Sequence, residues 1–195
     1  TIAESTFTGR KELEAPAGIV DYGSLIYIAL ARAKTAREAI AVMTGLVAEY
    51  GYASTGESFS IADPNEVWLM EMIGKGAGNK GAVWVARRLP EGMLAAHANH
   101  ARIRQFPLNE PASTIYSPDV ISFAREKGWF KGEDKDFSFA DTYNPLDFEA
   151  QRFSESRVWS IYRRAAPSLK LGPEYADGSA LDKRLPLWIK PDRKL

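Results

Sequence analysis

An α+β fold, with one antiparallel sheet carried between helices, follows from three observations. Residues 22–51 keep a helical apolar spacing, residues 57–99 change to alternation, and helices are expected again from 117 or 118 to 128 and from 145 to 166. Within the alternating part, apolar side chains occupy both faces: Val67, Leu69 and Ile73 on one, Trp68, Met70 and Met72 on the other. A sheet of that kind has to be covered on two sides, and the flanking helices supply the cover. The chain has 195 residues, 45% of them apolar, which suits one well-buried core. Residues 1–195 are therefore expected to form one domain, or part of one.

Residues 1–7 read as a strand, followed by a polar loop over 8–14 and the turn-like Ala15-Pro16-Ala17-Gly18. Asp21 can cap a helix over 22–34 whose apolar side is Leu25, Ile26, Ala29, Leu30 and Ala33. Thr35 and Glu38 make a capping box, with the Thr hydroxyl accepting from the backbone three residues on while the Glu reaches back. The helix they start carries Ile40, Met43, Val47 and Tyr50 at helical spacing, and Gly51 suits its left-handed end. Four strands are expected next, over 57–62, 66–73, 82–89 and 92–99, the first two joined by the tight turn Asp63-Pro64-Asn65-Glu66. The glycine-rich residues 74–81 join the second and third as a mobile hairpin tip. At least two helices follow, from 117 or 118 to 128 and from 145 to 166. Residues 106–114 and those after Pro167 show no period.

Composition removes several classes of function. With 25 basic and 25 acidic residues the net charge is zero, so no global field draws nucleic acid or anionic lipid. No apolar run reaches the roughly 20 residues that span a bilayer, and the start lacks the basic and apolar regions of a signal peptide. The absence of cysteine excludes disulfides, thiolate metal sites and cysteine catalysis within these residues. Residue 1 is not Met and already reads as strand, which leads us to expect a chain processed or excised from a longer polypeptide.

Several segments invite a chemical reading and have a plainer one beside it. The glycine-rich loop lacks the following helix that a phosphate cradle needs. His97 and His100 fall on opposite faces of the expected strand with no acidic residue within five positions, so a structural or surface role is expected for both. His97 and Asn99 share a face. Thr1 could act as nucleophile with its own amino group as base, a reading weighed against an incidental terminus. Asn99 alone reads as a turn former and Arg157 alone as a helix arginine pairing with Glu155 or solvent.

Four segments taken together carry more. Residues 57–71, His97-Ala98-Asn99-His100-Ala101-Arg102-Ile103 and Ser154-Glu155-Ser156-Arg157 resemble, in this order, the N-terminal-nucleophile dipeptidases, which use an N-terminal cysteine, and Glu4-Ser5-Thr6-Phe7 before Gly9-Arg10 resembles a further segment of the same family. The family usually has Gln where this chain has His100. The resemblance implies an αββα sandwich, of which this chain supplies some strands and helices. It implies that Asn99 donates to the oxyanion, that Arg157 lies near the cysteine and favours its thiolate, and that Glu4, Ser5 and Thr6 contact the dipeptide or its free amine. Dipeptides are the implied substrate, and no metal or organic cofactor is implied. Lacking the cysteine, the chain alone is expected to be inactive, and its uncovered edges to favour self-association. The alternative is a non-catalytic binding module that kept the core and lost the chemistry.

Overall fold

The computed structural model describes residues 1–14 and 18–193. Most of the turn expected at Ala15-Pro16-Ala17-Gly18 lies outside the described residues. Five strands form the main sheet: β1 (Ile2–Phe7), β2 (Gly56–Ala62), β3 (Val67–Gly74), β4 (Ala82–Arg88) and, later in the chain, β6 (Thr114–Tyr116). Their spatial order is β1-β2-β3-β4-β6 and every pairing is antiparallel. The α+β architecture expected from the change of period is the one observed.

Helices α1 (Tyr22–Arg32) and α2 (Ala36–Tyr50) cover one face. Leu25, Ala29, Ile40, Met43 and Val47 meet Phe59, Ile61, Trp68, Met70 and Met72 there. Asp21 accepts from the Ser24 N–H at 2.7 Å, as the capping pattern requires. Thr35 accepts from the Glu38 N–H, but Glu38 returns to the N–H of Lys34, one residue earlier than a reciprocal box would have it. The buried stripe of these helices is narrower than expected, and Leu30 and Tyr50 face outward.

The opposite face carries Phe7, Leu69, Ile73, Val83 and Val85. Against it pack Ile103, Phe106, α3 (Val120–Glu126) and α4 (Phe139–Tyr143). The first of these helices is shorter than the expected 117–128, and α4, only five residues long, has too few turns to show a period. In place of a uniform helix over 145–166, a π-helical turn (Ala150–Glu155) runs into α5 (Ser156–Ala165). Val158 and Tyr162 of α5 build a third cluster with Ala98, Leu185 and Ile189, while Ile161 is exposed.

The expected fourth strand over 92–99 needs correction. Only β5 (Leu94–Ala95) is extended, and it pairs with β7 (Trp188–Ile189) rather than with the meander. The edge of β4 is taken by β6, from a segment without apolar alternation. Alternation marks a half-buried strand but carries no information on which edge it joins. His97 and Asn99 thus lie in a loop and not on a common strand face.

Candidate active site

The site grows from the free edge of β1. Thr1 exchanges two backbone bonds with Ala62, its N–H to the Ala62 carbonyl at 2.8 Å and its carbonyl from the Ala62 N–H at 2.9 Å. Alternation of an antiparallel ladder then turns the backbone groups of Ile2, Glu4 and Thr6 away from β2. The Thr6 carbonyl accepts from Asn99 Nδ2 at 2.6 Å. Asn99 therefore sits against the open edge of the sheet.

A three-residue turn projects it there. The His100 N–H bonds the Ala98 carbonyl at 2.8 Å, placing Asn99 at the apex. The carboxamide is solvent-exposed, and its Oδ1 accepts from Arg157 Nη2 at 2.6 Å. Arg157 Nε also donates to the Phe153 carbonyl of the preceding turn, which aims the guanidinium along the helix. Two residues 58 positions apart, both singled out from sequence, are in direct contact. The alternative pairing of Arg157 with Glu155 is not formed, because Glu155 is bound to Arg102 at 2.8 Å.

The expected substrate residues divide between the two faces of the sheet. Ser5 lies on the Asn99 side, where its hydroxyl donates to the Ala98 carbonyl at 2.7 Å. Glu4 and Thr6 are in register with Phe59 and Glu57, so their side chains turn to the face covered by α1 and α2. From that set, the Thr6 carbonyl reaches Asn99 and Ser5 reaches the neighbouring Ala98 carbonyl; the Glu4 and Thr6 side chains lie on the other face. Beside Asn99 opens a groove of about 510 Å³ lined by residues including Gly9, His100, Asn144, Asp147 and Phe153.

His97 is structural, as expected, and tightly held. Since the Ser5 proton goes to Ala98, the His97 Nδ1–H donates to Ser5 Oγ at 2.6 Å, and Nε2 accepts from Ser60 at 2.8 Å. Burial, with Arg102 adding to it, pushes the His97 pKa down to about 4. His100 is fully buried with neither ring nitrogen hydrogen-bonded, and burial pushes it down to about 3.

Sequence inspection passed over a set of buried charges behind the site. Glu71 is wholly buried and accepts from the backbone N–H groups of Arg102 and Ile103 at 2.5 and 2.9 Å. Burial pushes its pKa up to about 7, with the two amide bonds and Arg102 acting against the rise. Glu57, on the other face, is also fully buried and accepts from the Thr6 hydroxyl at 2.6 Å. Burial, with Glu4 adding to it, raises Glu57 to about 8. The signal was available: Glu71 alternates with Leu69 and Ile73, and Glu57 with Phe59 and Ile61, so each had to enter an apolar face and find partners there.

Comparison with known proteins gives this geometry a family. A protein named "Probable dipeptidase" from Salmonella dublin is 27% identical over 172 residues, covering 85% of this chain and 38% of its own length. Another of that name from Latilactobacillus sakei is 27% identical over 88% of this chain and 33% of its own length. "Probable dipeptidase B" of Streptococcus pyogenes is 30% identical over 76% of this chain and 28% of its own length. The chain thus spans about a third of the length of the curated relatives it matches. Peptidase family C69 matches residues 1–195 in full. By that match over its full length, the chain belongs to peptidase family C69.

Proposed function

We propose that these residues are part of a dipeptidase that works through an N-terminal cysteine contributed by a preceding segment, within one domain whose αββα sandwich is completed outside this chain. The cysteine thiolate adds to the substrate carbonyl carbon, and its α-amino group carries the thiol proton to the leaving amine. A thioester remains, and water releases the acid from it. Asn99 acts at the tetrahedral stage. One Nδ2 hydrogen is held by the Thr6 carbonyl, which leaves the second for the oxyanion. Arg157, bonded to Oδ1, polarises the carboxamide and strengthens its donors, and its charge favours the nearby thiolate. Ser5 and the groove beside Asn99 contact the dipeptide. No metal or organic cofactor enters this route.

The observation that carries the reading is the 2.6 Å bond between Arg157 and Asn99. In the whole protein, Asn99→Ala should lower kcat for dipeptide hydrolysis about a hundredfold, with KM little changed. Unchanged turnover in that variant would remove Asn99 from the mechanism. The 195-residue chain alone, which has no cysteine, should show no turnover. Hydrolysis proportional to the amount of this chain would end the proposal of an external nucleophile.

A further inference from the structure

The loop that presents Asn99 is braced from one side chain. Arg102 follows Asn99 by three residues, and its guanidinium returns to the carbonyl of Ala96, three residues before Asn99, at 2.8 Å. Residues 96–102 are thereby closed into a ring with Asn99 at its midpoint. The same guanidinium donates from Nε to Glu155 at 2.8 Å, and Glu155 stands two residues before Arg157 on the same helical stretch. Its remaining donors reach the Tyr162 hydroxyl at 3.3 Å and the carbonyls of Pro186 and Leu187 at 2.9 and 3.3 Å. Side chains of Arg102 and Glu155 are only 2% and 7% exposed, so water does not compete for these bonds.

We propose that Arg102 and Glu155 are positioning residues that set the distance between Asn99 and Arg157. This rests on the catalytic reading of Asn99 given above and extends it to residues that touch no substrate. Three facts single out this pair among the groups that hold the loop. Glu71 fixes only its far end, through the N–H groups of Arg102 and Ile103. Ser5, Ser154 and Asn144 each hold one backbone group, at Ala98, Asn99 and Ala101. The Arg102–Glu155 pair joins both ends of the loop to the helix that bears Arg157 through a charged, directional contact, with the neutral Tyr162 hydroxyl, which also accepts from the Ala96 N–H at 3.3 Å, beside it. A planar guanidinium with five donors can span five acceptors, whereas an ammonium cannot. Buried, and with every guanidinium nitrogen bonded, the pair holds one arrangement and transmits it to the exposed contact between Asn99 and Arg157.

The test is spectroscopic and uses the 195-residue chain, so it does not depend on turnover. In the unaltered chain, the Asn99 side-chain amide and the Arg157 Nε–H should give dispersed, exchange-protected NMR signals. Glu155→Gln keeps the shape and an acceptor oxygen while removing the charge; Arg102→Lys keeps the charge and removes the fork. Arg102→Lys should speed hydrogen exchange at both groups at least about tenfold, with the Trp68 indole signal in the distant α1–α2 core unmoved. Glu155→Gln, the milder change and the one chosen to preserve folding, should give a smaller effect of the same sign. Unmoved Asn99 and Arg157 signals in folded Glu155→Gln or Arg102→Lys would overturn the proposal. So would an Asn99 amide that is already freely averaged in the unaltered chain. In the whole dipeptidase the same variants should lower kcat while leaving KM near its original value. If Asn99→Ala leaves turnover intact while Arg102→Lys still loosens Asn99, the catalytic reading fails and the positioning stands.

Discussion

Glu57 is the second residue of β2, between Gly56 and Ser58, with its carboxylate entering the core that α1 and α2 build on the sheet. Among the described residues no cation is bonded to it; the Thr6 hydroxyl is its partner and one carboxylate oxygen has none. Its folded-state pKa, about 8, lies above the ordinary 4.5, so the folded chain keeps a proton that the unfolded chain has released. Stability contributed this way is complete below pH 4.5 and is lost as pH rises toward 8, at a slope that cannot exceed about 1.4 kcal/mol per pH unit, the limit for one proton. His97 and His100 act in the opposite sense. Their folded values of about 4 and 3 lie below the ordinary 6.5, so they remove stability as the solution is acidified below pH 6.5. The decline due to Glu57 is therefore unopposed by them above pH 6.5. Urea unfolding at pH 6.5 and 8.5 should show a smaller loss for Glu57→Gln than for the unaltered chain. An identical loss in both would show that Glu57 is ionised throughout.

Among the elements, the glycine-rich residues 74–81 join β3 and β4 as the hairpin tip expected from their composition, but the loop is less free than that composition suggests. Gly76 has φ +82°, and a Cβ there would meet the Glu12 carbonyl oxygen at 2.2 Å. Gly78 has φ +78° and open space around it. Gly78→Ala should cost about 1 kcal/mol from backbone strain alone. Gly76→Ala adds a backbone collision and should cost about 2–3 kcal/mol or more, both measured as the shift in urea unfolding. Equal costs would show that the contact with Glu12 is absent in solution. Local chemistry marked this loop, both N-terminal helices and strands β2 to β4, since each depends on spacing or on a capping side chain a few residues away. Local chemistry did not mark β6 or α4, which are too short for a period, nor the partner of β5, whose Ile189 lies 95 residues further along the chain than Leu94.

For the molecule as a whole, β1 is the exposed end of the main sheet. The N–H groups of Ile2 and Glu4 point outward from it, a template for another strand. Concentration-dependent association in analytical ultracentrifugation is the expected behaviour of this chain. Glu4→Pro removes one outward N–H without touching a bond to β2 and should weaken that association. Association unaffected by Glu4→Pro would place the contact elsewhere, for instance on the exposed Tyr27 and Leu30 of α1.

Sequence by itself determined the layered α+β architecture, the antiparallel hairpins and the family, because periodicity, caps and ordered motifs are read from neighbours in the chain. It also marked Asn99 and Arg157, though only as separate members of motifs. That the two touch, that Ser5 faces them while the Glu4 and Thr6 side chains do not, and that Arg102 and Glu155 lie behind them were decided by tertiary structure. Each of those facts depends on a hydrogen bond between residues more than fifty positions apart or on the register of two paired strands. Such pairings are selected by burial and by the need of every buried polar group for a partner, and both conditions are met only once the whole core has closed.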